Sequence, residues 1–158
     1  MNPKKVIISR TDSIGDVVLT LPMAGVIKAK YPNCKVLFLG KTYTKPIVET
    51  SVYIDEFLNC DELQKKYDPS TVLKGLGVDV FIHVFPNKKL ARIVHKAKIP
   101  YRIGTTNRLF HLFTCNKKVA FSRKKSDLHE AQLNLKLLQP LGITDSLSLK
   151  ELSSYLRL

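Results

Sequence analysis

The stretch VIISRTDSIGDVVLTLP at residues 6–22 decides the fold of this chain. Its first residues, Val6-Ile7-Ile8, form a short apolar run that predicts a buried strand. Apolar residues then recur at helical spacing as far as Lys30, and Pro32 with Asn33 ends that helix. A strand that runs directly into a helix is the opening half of a βαβ unit, so this stretch predicts an α/β protein.

The alternation of strands and helices continues along the rest of the chain. Further strands are predicted at 35–40, 57–58, 79–85 and 101–104, and further helices from Thr44 and at 61–67, 69–76, 88–98 and 127–139. This order predicts a Rossmann-like, mainly parallel sheet with helices on both faces and right-handed crossovers. The 158 residues match the length of one ordinary domain, so we expect a single domain over residues 1–158.

The turn between the first strand and the first helix is the first candidate site, because ligands gather beyond the carboxyl ends of parallel strands. Gly15 lets a ligand approach the backbone there. The spacing of Ser13 and Asp16 resembles a capping box, which would satisfy the opening amides of the helix. Alternatively, Asp16 is a general base that takes a proton from an attacking alcohol. The turn has one glycine where a dinucleotide fingerprint needs three, and no Walker loop follows, which argues against a nucleotide-binding domain.

The charge is strongly positive, with 26 Lys and Arg against 13 Asp and Glu, a formal net charge of +13. Much of it lies in one block, interleaved with Phe110, His111 and Phe113, that contains no acidic residue. Its twelve basic residues are Lys88, Lys89, Arg92, Lys96, Lys98, Arg102, Arg108, Lys117, Lys118, Arg123, Lys124 and Lys125. The block predicts a surface for polyanions or an anionic membrane, although a solvated helix face explains part of it.

The cysteines and histidines point to neither a disulfide framework nor a metal site. Three widely spaced cysteines form no CxxC pair, which fits a reducing cytoplasm. His83 lies in an apolar strand and is predicted to be a satisfied core residue, whereas His95 is predicted to be solvated. His129 and Glu130 open the last helix, where a cap followed by an acid is favourable. The apolar run at 17–27 falls short of the ~18 residues of a membrane span, and the N-terminus does not read as a signal peptide.

Several motifs, in order along the chain, resemble the family 9 glycosyltransferases, the ADP-heptose:lipopolysaccharide heptosyltransferases. They are VIISR at 6–10, SIGDVVLTLP at 13–22, YP at 31–32, VLFLG at 36–40, YRIG at 101–104, HE at 129–130 and LLQPLG at 137–142. The resemblance covers nearly all of the chain. It implies a glycosyltransferase-B architecture, in which two Rossmann-like domains face each other across a cleft and transfer is inverting and metal-independent.

The resemblance also implies roles for individual residues. Asp16 matches the proposed catalytic base, and Ser13, Gly15, Arg102 and Arg108 are expected to bind the acceptor, the Kdo-containing inner core of lipopolysaccharide. No cofactor or metal is implied. A cytoplasmic protein, peripheral at the anionic surface of the inner membrane and without a specific nucleic acid partner, is expected.

Family members are about twice as long as this chain. ADP-heptose is expected on a C-terminal donor-binding domain that these residues do not include, so we expect the isolated chain to fold but not to turn over ADP-heptose. The competing hypothesis from the residues is a basic, non-catalytic module that binds nucleic acid or anionic lipid.

Overall fold

The computed structural model describes residues 1–122, 124 and 128–158. Its strands are β1 (Lys5–Ser9), β2 (Lys35–Gly40), β3 (Glu56–Asn59), β4 (Val80–His83), β5 (Tyr101–Thr105) and β6 (Lys117–Val119). Its α-helices are α1 (Ile14–Thr20), α2 (Pro22–Lys30), α3 (Lys45–Glu49), α4 (Cys60–Gln64), α5 (Pro69–Gly75), α6 (Lys88–Lys96), α7 (Leu109–Thr114), α8 (Glu130–Asn134) and α9 (Leu149–Ser153). Two 3₁₀ segments cover Thr42–Thr44 and Leu135–Leu141.

The strands form one six-stranded parallel sheet in the order β3-β2-β1-β4-β5-β6. β1 lies in the interior between β2 and β4, which explains why its central residues, Val6-Ile7-Ile8, are all apolar. The order confirms the predicted Rossmann-like fold. β6 was not predicted from the sequence, because two of its three residues are lysines at an edge of the sheet.

Helices cover both faces of the sheet, as predicted. On β1, Val6 and Ile8 point into one apolar cluster with residues of α1, α2 and the 3₁₀ segment at Leu135–Leu141. Ile7 points into a second cluster, formed with α5 and α6. This alternation follows from the pleat of a strand, which sends successive side chains to opposite faces.

Two predicted helices differ in the structure. The helix predicted to run to Lys30 is broken into α1 and α2 where Pro22 lacks the amide hydrogen that a continuous helix requires. The helix predicted over 127–139 begins at Asp127, which lies outside the described residues. It consists of α8 and then a 3₁₀ segment containing Pro140, and Gly142 ends it with a left-handed φ of 76°.

The three cysteines are free and buried. Within the described ranges, no helix has the length and apolarity required to cross a bilayer.

His83 is buried at the carboxyl end of β4, but it is not satisfied as the sequence predicted. Neither ring nitrogen has a hydrogen-bond partner among the described residues. The ring lies 4.6 Å from the ring of Phe81 and 5.3 Å from that of His111, measured between centroids. Burial, together with the positive charges of His111 and Arg102, lowers the pKa of His83 from 6.5 to about 3.

We expect His83 to make the protein less stable in acid. Below pH 6.5 the unfolded chain takes up a proton on this ring, whereas the folded chain does not until about pH 3. The free energy of unfolding therefore falls as the pH drops through this window, by up to about 1.4 kcal/mol per pH unit. Urea denaturation between pH 4 and 8 should show a shallower pH dependence for His83→Leu than for the wild type. The exposed His95→Leu should keep the wild-type slope, and parallel curves for all three proteins would contradict the assignment.

Candidate active site

An open cavity of about 530 Å³ lies beyond the carboxyl ends of β1, β4 and β5. This is the edge of a parallel sheet at which ligands bind. The described residues that line it are Arg10, Asp12, Asp16, Val84, Phe85, Pro86, Thr105, Asn107, Arg108, Ser122, Lys124 and Glu130. The cavity thus combines the turn after β1 with the loops after β4 and β5 and the start of α8.

Arg10 forms the base of this cavity, directly after β1, and only 5% of its surface is exposed. Its guanidinium makes a forked pair with Asp12, with Nε 2.8 Å from Oδ1 and Nη2 3.1 Å from Oδ2. Nη1 donates to Oε1 of Glu130 at 3.2 Å. The fork matches the geometry of a carboxylate, which lysine cannot reproduce.

The Arg10 guanidinium also connects elements that are distant in sequence. Nη1 lies 3.3 Å from the hydroxyl of Thr20 on α1 and 3.4 Å from Oδ1 of Asn134 on α8. Burial by itself would lower the pKa of Arg10, but the hydrogen bonds and charges of Asp12, Glu130 and Asp16 outweigh it and raise the pKa above its usual value. Arg10 is therefore a permanent buried cation.

Asp16 lies in the first turn of α1 and faces the cavity, with 37% of its side chain exposed. Oδ2 accepts a hydrogen bond of 2.6 Å from the hydroxyl of Ser13, and Oδ1 lies 3.5 Å from Nη2 of Arg10. Ser13 precedes α1, but its side chain accepts no hydrogen bond from the helix amides. The alternative in which this hydroxyl caps the helix is therefore not supported. The Ser13 hydroxyl instead donates to the Asp16 carboxylate and orients it.

Gly15 is exposed beside Asp16, and a Cβ built on it would meet no atom within 4 Å. Packing within the described part of the chain therefore does not require glycine here. The open space leaves this part of the backbone accessible to a ligand.

Of the two predicted acceptor-binding arginines, only Arg108 reaches the cavity. It is exposed at the end of the loop that precedes α7, and Lys124 lines the same cavity. Arg102 lies near the amino end of β5, where its Nε donates to the carbonyl oxygen of Thr114 at 2.8 Å and its Nη1 to that of Ile99 at 2.7 Å. The structure does not bring Arg102 to the site, because two backbone carbonyls hold its guanidinium at the other end of the strand.

The described basic residues of the block lie on α6, β5 and β6 and in the loops beside them. Arg123 and Lys125 lie outside the described residues. Of the aromatic rings expected among these cations, His111 is buried and Phe110 is half-buried, whereas Phe113 is exposed. Only part of the block therefore contributes to the cavity.

His129 caps α8, as predicted. Its Nδ1 accepts from the amide of Ala131 at 3.2 Å, and its own amide donates to Oε1 of Gln132 at 3.0 Å. This cap sets the direction of α8 and places Glu130 against Arg10. Across residues 1–122, 124 and 128–158, no group of three His, Cys, Asp or Glu side chains has an arrangement that could hold a metal ion.

Sequence reasoning missed the role of Arg10 and of its partners Asp12 and Glu130. One signal was present, since an arginine directly after a buried strand has to find carboxylates or leave the core. Glu130 could not be paired with it from the sequence, because 120 positions separate the two residues.

Comparison with known proteins finds similar chains among glycosyltransferases. No family model matches the chain. A protein of Haemophilus influenzae described as "Putative glycosyltransferase" is 24% identical over 139 residues, which is 86% of this chain and 40% of that protein.

Solved structures share the fold. The heptosyltransferase WaaC of E. coli, solved with ADP, has a TM-score of 0.74 at 20% identity, over 91% of this chain and 49% of that one. A family 9 glycosyl transferase of Veillonella parvula has a TM-score of 0.72 at 21% identity, over 93% and 43%. The E. coli ADP-heptose lipopolysaccharide heptosyltransferase II has a TM-score of 0.69 at 16% identity, over 85% and 39%.

The chain therefore spans less than half of the length of these four proteins. The TM-scores show a common fold. The comparisons confirm the resemblance to family 9 glycosyltransferases that the sequence motifs indicate.

We expect Arg10→Met to lower the free energy of unfolding by about 3 to 5 kcal/mol, because it leaves carboxylates without their buried cation. Urea denaturation followed by circular dichroism measures this change. The matched control is Arg92→Met on α6, where the arginine is exposed and its loss should cost less than about 0.5 kcal/mol. Arg10→Lys keeps the positive charge but not the forked pair with Asp12. Its free energy of unfolding should therefore lie between that of Arg10→Met and that of Arg92→Met. Equal losses for Arg10→Met and Arg92→Met would contradict this role.

Proposed function

We propose that this chain is the acceptor-binding domain of a family 9 glycosyltransferase and that Asp16 is its general base. The observation that carries the proposal is the position of the Asp16 carboxylate. It is partly exposed, faces the cavity at the carboxyl edge of the sheet, and is oriented by Ser13 and Arg10. The shared fold and the glycosyltransferase relatives support the same assignment.

In the proposed reaction, Asp16 accepts the proton of an acceptor hydroxyl while that oxygen attacks the anomeric carbon of the donor sugar. The new C–O bond forms on the face opposite the leaving group, so the configuration is inverted. The bond between the anomeric carbon and the diphosphate breaks, and the nucleoside diphosphate leaves with its electron pair. A weak carboxylate base suffices, because proton removal lags behind bond breaking in an oxocarbenium-like transition state.

The proposed acceptor is an anionic sugar, the Kdo-containing inner core of lipopolysaccharide. Arg108 and Lys124 are the cations at the cavity whose charges favour its carboxylates and phosphates. Arg10 cannot bind the acceptor in the same way, since it is buried and its guanidinium already bonds protein carboxylates. The acceptor hydroxyl is then directed toward Asp16, while the acidic groups bind near Arg108.

The proposed donor is ADP-heptose, which we assign to a second domain, supplied in the same polypeptide or by a separate one. Charge develops on the leaving diphosphate in the transition state, and groups that stabilise such charge make a large contribution to catalysis. These 158 residues alone are therefore proposed to bind acceptor without turning over the donor. We propose a cytoplasmic location, which fits a nucleotide-sugar donor and free, buried cysteines.

A non-catalytic module for polyanions remains the competing function. The net charge of +13 favours it, since any strongly basic surface attracts nucleic acid. The two proposed functions depend on different residues. A polyanion module depends on total charge and salt and is insensitive to Asp16.

We expect Asp16→Asn to lower kcat for transfer by on the order of 10²- to 10⁴-fold, because the amide cannot accept the hydroxyl proton. Transfer from ADP-heptose to a Kdo-containing core acceptor is measured with the donor-binding domain present. The matched control is Glu56→Gln, which also replaces a carboxylate by an amide. Glu56 is exposed on β3, the edge strand opposite β6, and this variant should keep the wild-type kcat. Wild-type kcat for Asp16→Asn, with an unchanged melting temperature, would reduce Asp16 to a structural residue.

We expect Arg108→Ala to weaken binding of the free core oligosaccharide by about tenfold or more, through loss of a charged hydrogen bond to its acidic groups. Isothermal titration of the purified chain measures this affinity. Arg92→Ala, an exposed arginine of α6 that does not line the cavity, is the control and should bind as the wild type. Tighter binding of duplex DNA than of the oligosaccharide, with equal losses for both variants, would favour the polyanion module.

A further inference from the structure

Tyr43 is an exposed aromatic residue at the same edge of the sheet as the candidate active site. It lies in the 3₁₀ segment Thr42–Thr44, which follows β2, and β2 is the parallel neighbour of β1. Its exposed fraction is 55%. Its hydroxyl donates to the carbonyl oxygen of Asp12, a residue whose side chain lines the cavity. Tyr43 is therefore joined to the lining of the cavity by one hydrogen bond, on the β2 side.

The segment that carries Tyr43 is anchored by residues that follow β3. Oδ2 of Asp61 accepts from the amide of Thr42 at 2.9 Å and from its hydroxyl at 2.8 Å. The side-chain amide of Asn59 donates to the same hydroxyl at 3.0 Å. Thr44, on the other side of Tyr43, is buried. The backbone that presents Tyr43 is therefore held in place, and a ligand that binds the ring has little backbone to order.

The groups around Tyr43 are mostly polar. Lys41 and Thr42 precede it and are exposed, and Ser13 is exposed in the turn that Tyr43 contacts. Ile14 adds one exposed apolar side chain. The core of a protein–protein interface usually contains more apolar area than Tyr43 and Ile14 provide. A sugar ring has apolar C–H groups on its faces and hydroxyls around its edge, so one aromatic ring beside polar groups suits it.

We propose that Tyr43 is a stacking platform for one sugar ring of the acceptor. This inference rests on the proposed function, in which the acidic groups of the acceptor bind near Arg108 and its reacting hydroxyl faces Asp16. The strand order places β1, which leads to Asp16, between β2 and β5. Tyr43 and Arg108 are thus on opposite sides of the proposed base.

The spacing of the strands says how long such an acceptor is. Tyr43 follows β2 and Arg108 follows β5, and these strands are three spacings apart in the sheet. At about 4.8 Å per spacing, the separation is about 14 Å. One sugar ring cannot contact both residues across that distance. The acceptor class is therefore an oligosaccharide, with an acidic sugar at Arg108 and a different sugar at Tyr43.

We expect Tyr43→Ala to weaken binding of the free core oligosaccharide about two- to tenfold, through loss of the ring contact. Tyr43→Phe keeps the ring but not the hydrogen bond to the Asp12 carbonyl, and it should restore most of the affinity. Isothermal titration of the purified chain measures both. Tyr67→Ala is the matched control, since Tyr67 is also exposed but lies in another groove, with Arg92 and Lys96. It should bind as the wild type does.

NMR of the bound oligosaccharide gives a signature of stacking. The ring current of Tyr43 should move the C–H protons of one sugar upfield with the wild type and with Tyr43→Phe, but not with Tyr43→Ala. These protons should belong to a sugar other than the one whose signals depend on Arg108. With the donor-binding domain present, Tyr43→Ala should raise the acceptor KM and leave kcat unchanged. A role limited to the shape of the turn would instead lower kcat, because it would act through Asp16.

Three results would overturn the proposal. They are wild-type affinity of Tyr43→Ala for the oligosaccharide, a loss for Tyr43→Phe as large as for Tyr43→Ala, and absence of the upfield shift with the wild type. Weaker association of Tyr43→Ala with the donor-binding domain, at unchanged oligosaccharide affinity, would assign the ring to the contact between domains. Arg108→Ala separates failure here from failure of the proposed function. If Arg108→Ala loses affinity and Tyr43→Ala does not, only the stacking platform is wrong, whereas a wild-type chain that does not bind the oligosaccharide contradicts both.

Discussion

A buried positive charge organises the functional end of this fold. Arg10 follows β1 in the interior of the sheet, where a guanidinium is stable only if carboxylates and hydrogen-bond acceptors surround it. Asp12 supplies the forked pair from the adjoining turn, and Glu130 supplies a second carboxylate from a helix 120 positions away. The turn after β1 and the start of α8 are therefore fixed relative to each other by one side chain. The shape of the cavity depends on that link.

The same charge has a consequence for Asp16. Asp12 and Glu130 lie closer to the guanidinium than Asp16 does, since the Asp16 contact is 3.5 Å. Asp16 is thus held near Arg10 without being enclosed by it, and part of its carboxylate faces the cavity. The general base proposed above has to be held in place and to face the acceptor, and the position of Asp16 meets both requirements. The exposed cations Arg108 and Lys124 contact the cavity from the loops, so the cationic groups available to a ligand are distinct from the buried one.

The sequence predicted the fold because its signals are local. Val6-Ile7-Ile8 is apolar on both faces of the sheet, and Gly142 ends the helical stretch that begins with α8. Both features can be predicted without tertiary information. The pairing of Arg10 with Glu130 could not be read in that way, because it depends on how the chain returns after the sixth strand. For Arg102, the sequence suggested a contact at the cavity that the position of the side chain does not provide. Its motif suggested a ligand contact, but the carbonyls of Ile99 and Thr114 hold it at the other end of β5.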